Sequence, residues 1–232
     1  MRSFNTYIEE GVHDPGIFKA FFTAGGPGSG KSYVAGQGGM GGTKKGKQMM
    51  SPFGLKIVNS DPMYEKLLKD AGLQAIPKDI GSKRGQAIRD VAKGLVGKRQ
   101  AGWVEGRLGL LIDGTGKDYK KIQKLRGSLD TIGYDTYMLF VNTSLDVALQ
   151  RNAMRTRQLD ATEVEKMWNA VQQNMGKFQL LFGRRNFILI DNNSAAEDVF
   201  HKLFVQIKTL VDDPVTSKAA LTWIRSQLPA RA

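Results

Sequence analysis

The chain has 232 residues, no cysteine, two histidines and a net charge of +12 from 34 Lys+Arg against 22 Asp+Glu. That length suits one sizeable core, read as a single domain over 1–232; the missing cysteines exclude a disulfide framework and a thiolate metal site, and His13 and His201 lie too far apart in sequence to resemble a zinc site. The charge favours a polyanionic partner, with a merely soluble basic surface as the alternative, and the lack of a long apolar run predicts a soluble, cytoplasmic protein without a membrane segment.

Residues 1–16 read as a short helical turn stopped by Gly11 and by Pro15-Gly16. The apolar run Ile17 to Ala24 predicts a buried strand, and it leads directly into Gly25-Gly26-Pro27-Gly28-Ser29-Gly30-Lys31-Ser32. This octet fits G-x-x-x-x-G-K-[ST] at every fixed position. Glycines let backbone N–H groups curl around a polyphosphate, Lys31 can reach its outer phosphates, and the Ser32 hydroxyl can ligate magnesium. Gly26, Pro27, Gly28, Ser29, Gly30, Lys31 and Ser32 are therefore the expected nucleotide-binding residues.

A helix should follow Ser32, but the six glycines within 36–47 predict that it frays early or gives way to a basic loop. Lys44, Lys45 and Lys47 on that stretch could grip an acidic substrate or mark a solvated loop tip. Leu55 to Asn59 reads as the second strand, followed by a helix from Met63 to Ala71. Asp61 stands between them, either as a general base at the carboxyl end of a strand or as the N-cap of the helix, with Pro62 as its first residue.

Residues 82–100 read as a helix capped by Ser82, with Ile88, Val91, Ala92, Leu95 and Val96 on its apolar side. Its other face carries Lys83, Arg84, Arg89, Lys93, Lys98 and Arg99, a solvated face or a polynucleotide surface. Leu108 to Asp113 is an apolar strand ending in an acid, the form of a Walker B element, so Asp113 is expected to support magnesium. Gly114-Thr115-Gly116 turns the chain, an amphipathic helix covers 118–132, and Tyr137 to Asn142 is the next strand.

From Leu145 a helix leads into Arg151-Asn152-Ala153-Met154-Arg155. Arg151 and Arg155 are four apart, so both are expected to project from one helical face and converge on the same phosphates, to which the planar guanidinium fork donates in pairs, with a surface helix that holds no ligand as the alternative. This region, 143–160, is the expected lid. Glu163 to Leu181 should be helical, with Val164, Met167, Trp168, Val171, Met175 and Phe178 as its core stripe. A fifth strand is expected at Phe187 to Asp191, and helices at 195–211 and 216–228 close the chain, with Trp223, Ile224 and Leu228 as packing residues. The fold class is thus α/β: a P-loop NTPase three-layer sandwich with a mainly parallel five-stranded sheet over 17–191 and a helical lid.

The phosphate loop at 25–32, the strand-end Asn59-Ser60-Asp61, Asp113 with Thr115, and Arg151-Asn152-Ala153-Met154-Arg155 together resemble the phosphate-loop kinases that include bacteriophage polynucleotide kinase and the zeta-toxin family. The chain is also similar to phage-encoded kinases of hydroxymethylated pyrimidines in DNA. The resemblance implies ATP and magnesium as cofactors, Asp61 as the base that deprotonates an acceptor hydroxyl, and Arg151 and Arg155 as lid contacts to the donor phosphates. It implies transfer of a γ-phosphoryl group to DNA, RNA or a nucleotide, in the host cytoplasm if the protein is phage-encoded. A zeta-toxin-like kinase of a UDP-sugar and a DNA-stimulated ATPase are the alternatives. No carboxy-terminal phosphatase domain follows, which argues against a dual end-healing enzyme.

Overall fold

A computed structural model describes residues 11–31, 53–154, 159–194 and 197–228. The expectations for the N-terminal turn before residue 11, for the basic loop at 36–47, and for Ser32 and Arg155 lie outside the described residues. Chain contacts divide into two compact units, one formed by residues 1–57 and 107–232 and the other by 58–106.

In the first unit, the strands β1 (Lys19–Ala24), β2 (Lys56–Val58, whose last residue opens the second unit), β3 (Leu110–Ile112), β4 (Asp135–Asn142) and β5 (Phe187–Asp191) form a five-stranded sheet in the order β2-β3-β1-β4-β5. β1 pairs in parallel with β3 and with β4, and β4 pairs in parallel with β5. The chain runs from β1 to the β2–β3 side and then crosses to β4, so the direction of winding reverses beside β1. In an open parallel sheet this reversal opens a crevice at the carboxyl ends of the strands, where ligands bind. The phosphate loop begins there.

Side chains alternate across a strand, and neighbouring aromatics of β1 go to opposite faces. Phe21 stacks on Tyr137 with ring centroids 4.7 Å apart, and joins a core of Leu55, Leu111, Leu139, Val141, Ile188 and Ile190. Helix α7 (Glu197–Asp212) covers that core with Leu203, Ile207 and Val211. Phe22 instead meets Phe182 edge-on at 5.4 Å, on helix α6 (Ala161–Phe182). Helices on both faces make the three-layer α/β sandwich that the strand pattern predicts. Helix α4 (Tyr119–Thr131) precedes β4, capped by Asp118, whose carboxylate accepts from the Lys121 N–H at 3.0 Å. Helix α6 starts at Asp160, where the Thr162 hydroxyl and N–H hold the exposed carboxyl below its usual range.

Several expected packing roles differ in detail. On α6, Val164, Val171 and Phe178 are buried as expected, whereas Met167, Trp168 and Met175 are only half-buried, and Asn174 takes a buried place among them. Asn174 reaches across to donate to the carbonyls of Gly116 and Lys117, both at 3.0 Å, a satisfied polar contact that apolar periodicity does not register. Leu228, beyond the end of the last helix α8 (Lys218–Gln227), is 44% exposed and is not a core residue. Trp223 does pack, edge-on to Phe18 at 5.5 Å.

Two lysines of the sheet are buried, because each has found a carboxylate. Lys19 Nζ lies 2.7 Å from Asp135 Oδ2, and Lys56 Nζ lies 3.3 Å from Asp14 Oδ2. Asp14 also accepts from the Gly16 N–H at 2.8 Å. Breaking a buried pair leaves an uncompensated charge and costs about 3–5 kcal/mol. Asp14→Ala is therefore expected to lower the melting temperature by about 10 °C, at 2–4 °C per kcal/mol for a chain of this size, as calorimetry would measure; a shift under about 2 °C would contradict this account of Lys56.

The second unit is helical. It contains α1 (Asp61–Asp70), α2 (Pro77–Gly81) and α3 (Lys83–Glu105), packed through Tyr64, Leu68, Ile80 and Ala92. α2, absent from the pattern reading, is a single turn, too short to show a periodicity. Ser82 caps α3 as expected, its hydroxyl accepting from the Gly85 N–H at 2.9 Å. The buried face of α3 is Gly85, Ala92 and Val96, while Val91 and Leu95 are 56% and 40% exposed. The apolar stripe is thus narrower than expected, since Val91 and Leu95 each stand one position off the line that faces α1.

Candidate active site

The loop at 25–31 leaves β1 in a backbone conformation that glycine makes possible. Gly25, Gly28 and Gly30 have φ of 155°, 74° and 92°. A Cβ on Gly28 would come 2.7 Å from the Ala148 carbonyl oxygen, and one on Gly30 would come 2.2 Å from Asn192 Nδ2. Main chain is thereby packed where a side chain cannot fit, as backbone cradles for phosphate require. Gly25 through Ser29 are buried.

Lys31 folds back over this loop. Its ammonium donates to the carbonyls of Gly25 at 2.5 Å and Gly26 at 3.0 Å, and to Ser29 Oγ at 3.4 Å. The cation is therefore held at the centre of the curl by three oxygens of the loop itself. Arg151 reaches the loop from helix α5 (Leu145–Ala153), with Nη1 donating to the Gly28 carbonyl at 3.3 Å and Nη2 to the Asn193 carbonyl at 3.4 Å. α5 ends at Ala153, before Arg155.

Asp113 follows β3 directly, and parallel pairing of Phe22 with Ile112 brings it level with Thr23. The Thr23 hydroxyl donates to Asp113 Oδ1 at 2.8 Å and accepts from the Gly114 N–H at 3.1 Å. One residue on, the Gly25 N–H donates to the Thr115 carbonyl at 3.0 Å. The carboxylate is thus oriented by Thr23, two residues before the phosphate loop begins. Lys31 and Arg151 thus both bond carbonyls of the loop, and Asp113 is held on the strand residue Thr23 that precedes it.

Asp61 belongs to the second unit, three residues after the end of β2. It is the first residue of α1, with Ser60 as the N-cap and Pro62 following it, so the expectation that Asp61 caps this helix is corrected by one position. The local reason is Asn59, whose Oδ1 accepts from the Asp61 N–H at 2.8 Å and satisfies one of the open donors of the helix start. The Asp61 carboxylate is exposed.

Three contributors escape motif reading. Asn192, just past β5, donates from Nδ2 to the Ser29 carbonyl at 2.7 Å, and its Oδ1 is buried with no hydrogen-bond partner among the described residues. Asn193 links Arg151 to the start of α5, accepting from the Ser144 N–H at 2.7 Å through Oδ1. Trp168 lies with Cδ1 3.2 Å from the place a Cβ on Gly26 would occupy, and its Nε1 donates to the Thr143 carbonyl at 2.9 Å. The polar run Asp191-Asn192-Asn193-Ser194 at a strand end is the signal that could have pointed to the first two.

The loop makes a direct prediction. Gly28→Ala forces a left-handed backbone on a residue with a Cβ and drives that Cβ into α5, a strain of about 1–3 kcal/mol. It is expected to weaken ATP binding about tenfold or more, measured by calorimetry, because the Gly28 carbonyl that receives Arg151 must shift; unchanged affinity would show that this geometry is not needed for the nucleotide.

Among the described residues, no group of three or more His, Cys, Asp or Glu could hold a metal on its own, and no helix is long and apolar enough to cross a membrane. No protein-family model matches the chain, and no curated protein matches it. Among solved structures it is similar to a gluconokinase from Sinorhizobium meliloti 1021, at 15% identity over 84% of this chain and 95% of that one, with a TM-score of 0.49. It is similar also to a structure from the PezAT chromosomal toxin-antitoxin system of Streptococcus pneumoniae, at 14% identity over 90% and 88% of the two chains, TM-score 0.48. A third is a shikimate kinase from Acinetobacter baumannii in complex with shikimate, at 18% identity over 83% and 94%, TM-score 0.44. Likeness at this level says nothing of what the chain transforms, and its own residues must carry that.

Proposed function

We propose that the protein is an ATP-dependent kinase that transfers the γ-phosphoryl group to a hydroxyl of a nucleic-acid or nucleotide acceptor. The observation that carries this reading is a glycine-built loop at the carboxyl end of the central strand that holds its own Lys31, receives Arg151 at the Gly28 carbonyl, and follows the strand residue Thr23 to which Asp113 is bonded. The left-handed glycines fit a polyphosphate, and a carboxylate oriented by Thr23 fits a hard cation. A magnesium ion held there would supply positive charge to offset that of the donor phosphates.

The chain's own groups then divide the work. The loop amides and Lys31 hold the outer phosphates, with Ser32 and Asp113 as the residues that support magnesium. Arg151, and with it Arg155, stabilises the charge that spreads over the transferred group. Asp61 takes the proton of the acceptor hydroxyl as its oxygen bonds to the γ-phosphorus and the bond from that phosphorus to the β–γ bridging oxygen breaks, with ADP as the leaving group. The net charge of +12 supports a polyanionic acceptor, such as a polynucleotide 5′-hydroxyl or a hydroxymethyl pyrimidine within DNA.

The test is a panel of reactions with γ-labelled ATP. The acceptors are 5′-hydroxyl DNA and RNA, DNA containing hydroxymethyluracil, nucleoside monophosphates and UDP-sugars. Label on DNA, RNA or a nucleotide supports the proposal. Label on a UDP-sugar replaces the acceptor, and free phosphate stimulated by DNA with no labelled product replaces the kinase with an ATPase.

A further inference from the structure

Asn192 stands one residue beyond β5, where the parallel register pairs Asp191 with Asn142. Its own N–H extends that ladder by donating to the Asn142 carbonyl at 2.9 Å, so its backbone is fixed to the sheet. The side chain is 4% exposed and meets the phosphate loop, where Nδ2 donates to the Ser29 carbonyl at 2.7 Å. Ser29 is buried too, so Asn192 takes the place of water at that carbonyl. The amide also fills the space beside Gly30, since a Cβ there would lie 2.2 Å from Nδ2.

Holding the Ser29 carbonyl holds its whole peptide plane. In a trans peptide the C=O of one residue and the N–H of the next point in opposite directions, and no described peptide bond is cis. The Gly30 N–H therefore points away from Asn192. It donates to nothing among the described residues, and Gly30, unlike Ser29, is partly open to solvent. An oriented main-chain N–H of this kind is a donor for an anion.

Stability alone would not select this side chain. Asn192 Oδ1 is buried with no hydrogen-bond partner among the described residues, and leaving a buried acceptor unmet costs at least as much as the Nδ2 bond returns. An apolar side chain of similar size would give up the bond and the orphaned oxygen together.

We propose that Asn192 is a positioning residue for nucleotide binding: by holding the Ser29 carbonyl it turns the Gly30 N–H toward a phosphate of the nucleotide. Gly30 contacts the phosphate through its main chain, and Asn192 acts through Gly30. This rests on the reading of residues 25–31 as a phosphate loop. It does not require that the phosphate be transferred.

The experiment follows the Gly30 amide by NMR in protein carrying isotopically labelled glycine, and affinity by calorimetry, with tripolyphosphate and ATP as probes. In the wild-type chain the Gly30 resonance is expected to move downfield with either probe, because the N–H then donates to a charged oxygen. Asn192→Leu should lose that shift and bind both probes about tenfold more weakly, the scale of one hydrogen bond to a charged group. Its melting temperature should stay within about 4 °C of wild type, since a satisfied contact and an orphaned atom are removed together. Asn192→Asp keeps the shape but sets a carboxylate oxygen in place of Nδ2, so it too should lose the Gly30 shift, and it decides the matter if the leucine variant does not fold. A folded variant that keeps both wild-type affinity and the Gly30 shift overturns the proposal. A wild-type Gly30 amide that ignores a bound probe overturns it as well, and leaves the phosphate loop standing through its other donors. A wild-type chain that binds neither tripolyphosphate nor ATP overturns both readings.

Discussion

Replacing Lys31 with alanine is expected to lower phosphoryl transfer by about 10²–10³-fold, the usual loss on removing one preorganised group that stabilises transition-state charge. The ammonium lies over the carbonyls of Gly25 and Gly26, so it sits within the curl that is proposed to receive the phosphates. No other lysine side chain among the described hydrogen bonds reaches that loop. The fold should survive, because losing hydrogen bonds of this kind costs about 1–3 kcal/mol. Turnover with γ-labelled ATP, read beside a thermal melt, separates the two effects. A folded variant with unchanged turnover would remove the loop from the chemistry and end the kinase assignment.

Asp61→Asn is the second large effect, and it tests the other half of the reaction. Transfer is expected to fall by about 10²–10⁴-fold, the contribution of a positioned general base. The affinity for ATP should stay within about twofold, since the exchange is isosteric and the carboxylate is exposed. Losing a negative charge in the first turn of α1 costs the helix about 0.3–1 kcal/mol, too little to unfold the chain. The Asn59 bond to the backbone N–H at 61 does not involve the replaced carboxylate and should persist. The two variants therefore differ in signature: Lys31→Ala impairs handling of the donor, whereas Asp61→Asn leaves it bound and unreactive. Full activity in Asp61→Asn would mean that the proton leaves by another route.

Much of this was legible in the chain itself. A phosphate loop is local: eight consecutive residues dictate their own backbone, and the positive φ of Gly25, Gly28 and Gly30 follows from the absence of Cβ atoms. Five apolar runs bounded by turns likewise determine five strands. Their boundaries shift by a residue or two, as at Leu110–Ile112 within the expected 108–113. The acids Asp61 and Asp113 could be placed at strand ends because alternation stops there.

Tertiary structure decided what local patterns cannot encode. The order β2-β3-β1-β4-β5 puts Asp113 beside Thr23 across 90 residues of chain, and no periodicity in either segment carries that pairing. Asn192 reaches Ser29 across 163 residues, and a single polar residue after a strand looks the same whether or not it has a partner. Helix α3 exposes Val91 and Leu95 because its neighbour's position, and not its own hydrophobicity, sets which side is covered. Sequence determines the conformations each segment can adopt at low cost, since those are set by sterics and patterning within a few residues. Which side chains then meet depends on how the strands pair and the helices pack, and only the folded chain brings Arg151 to the phosphate loop and Asp113 to Thr23 just before it.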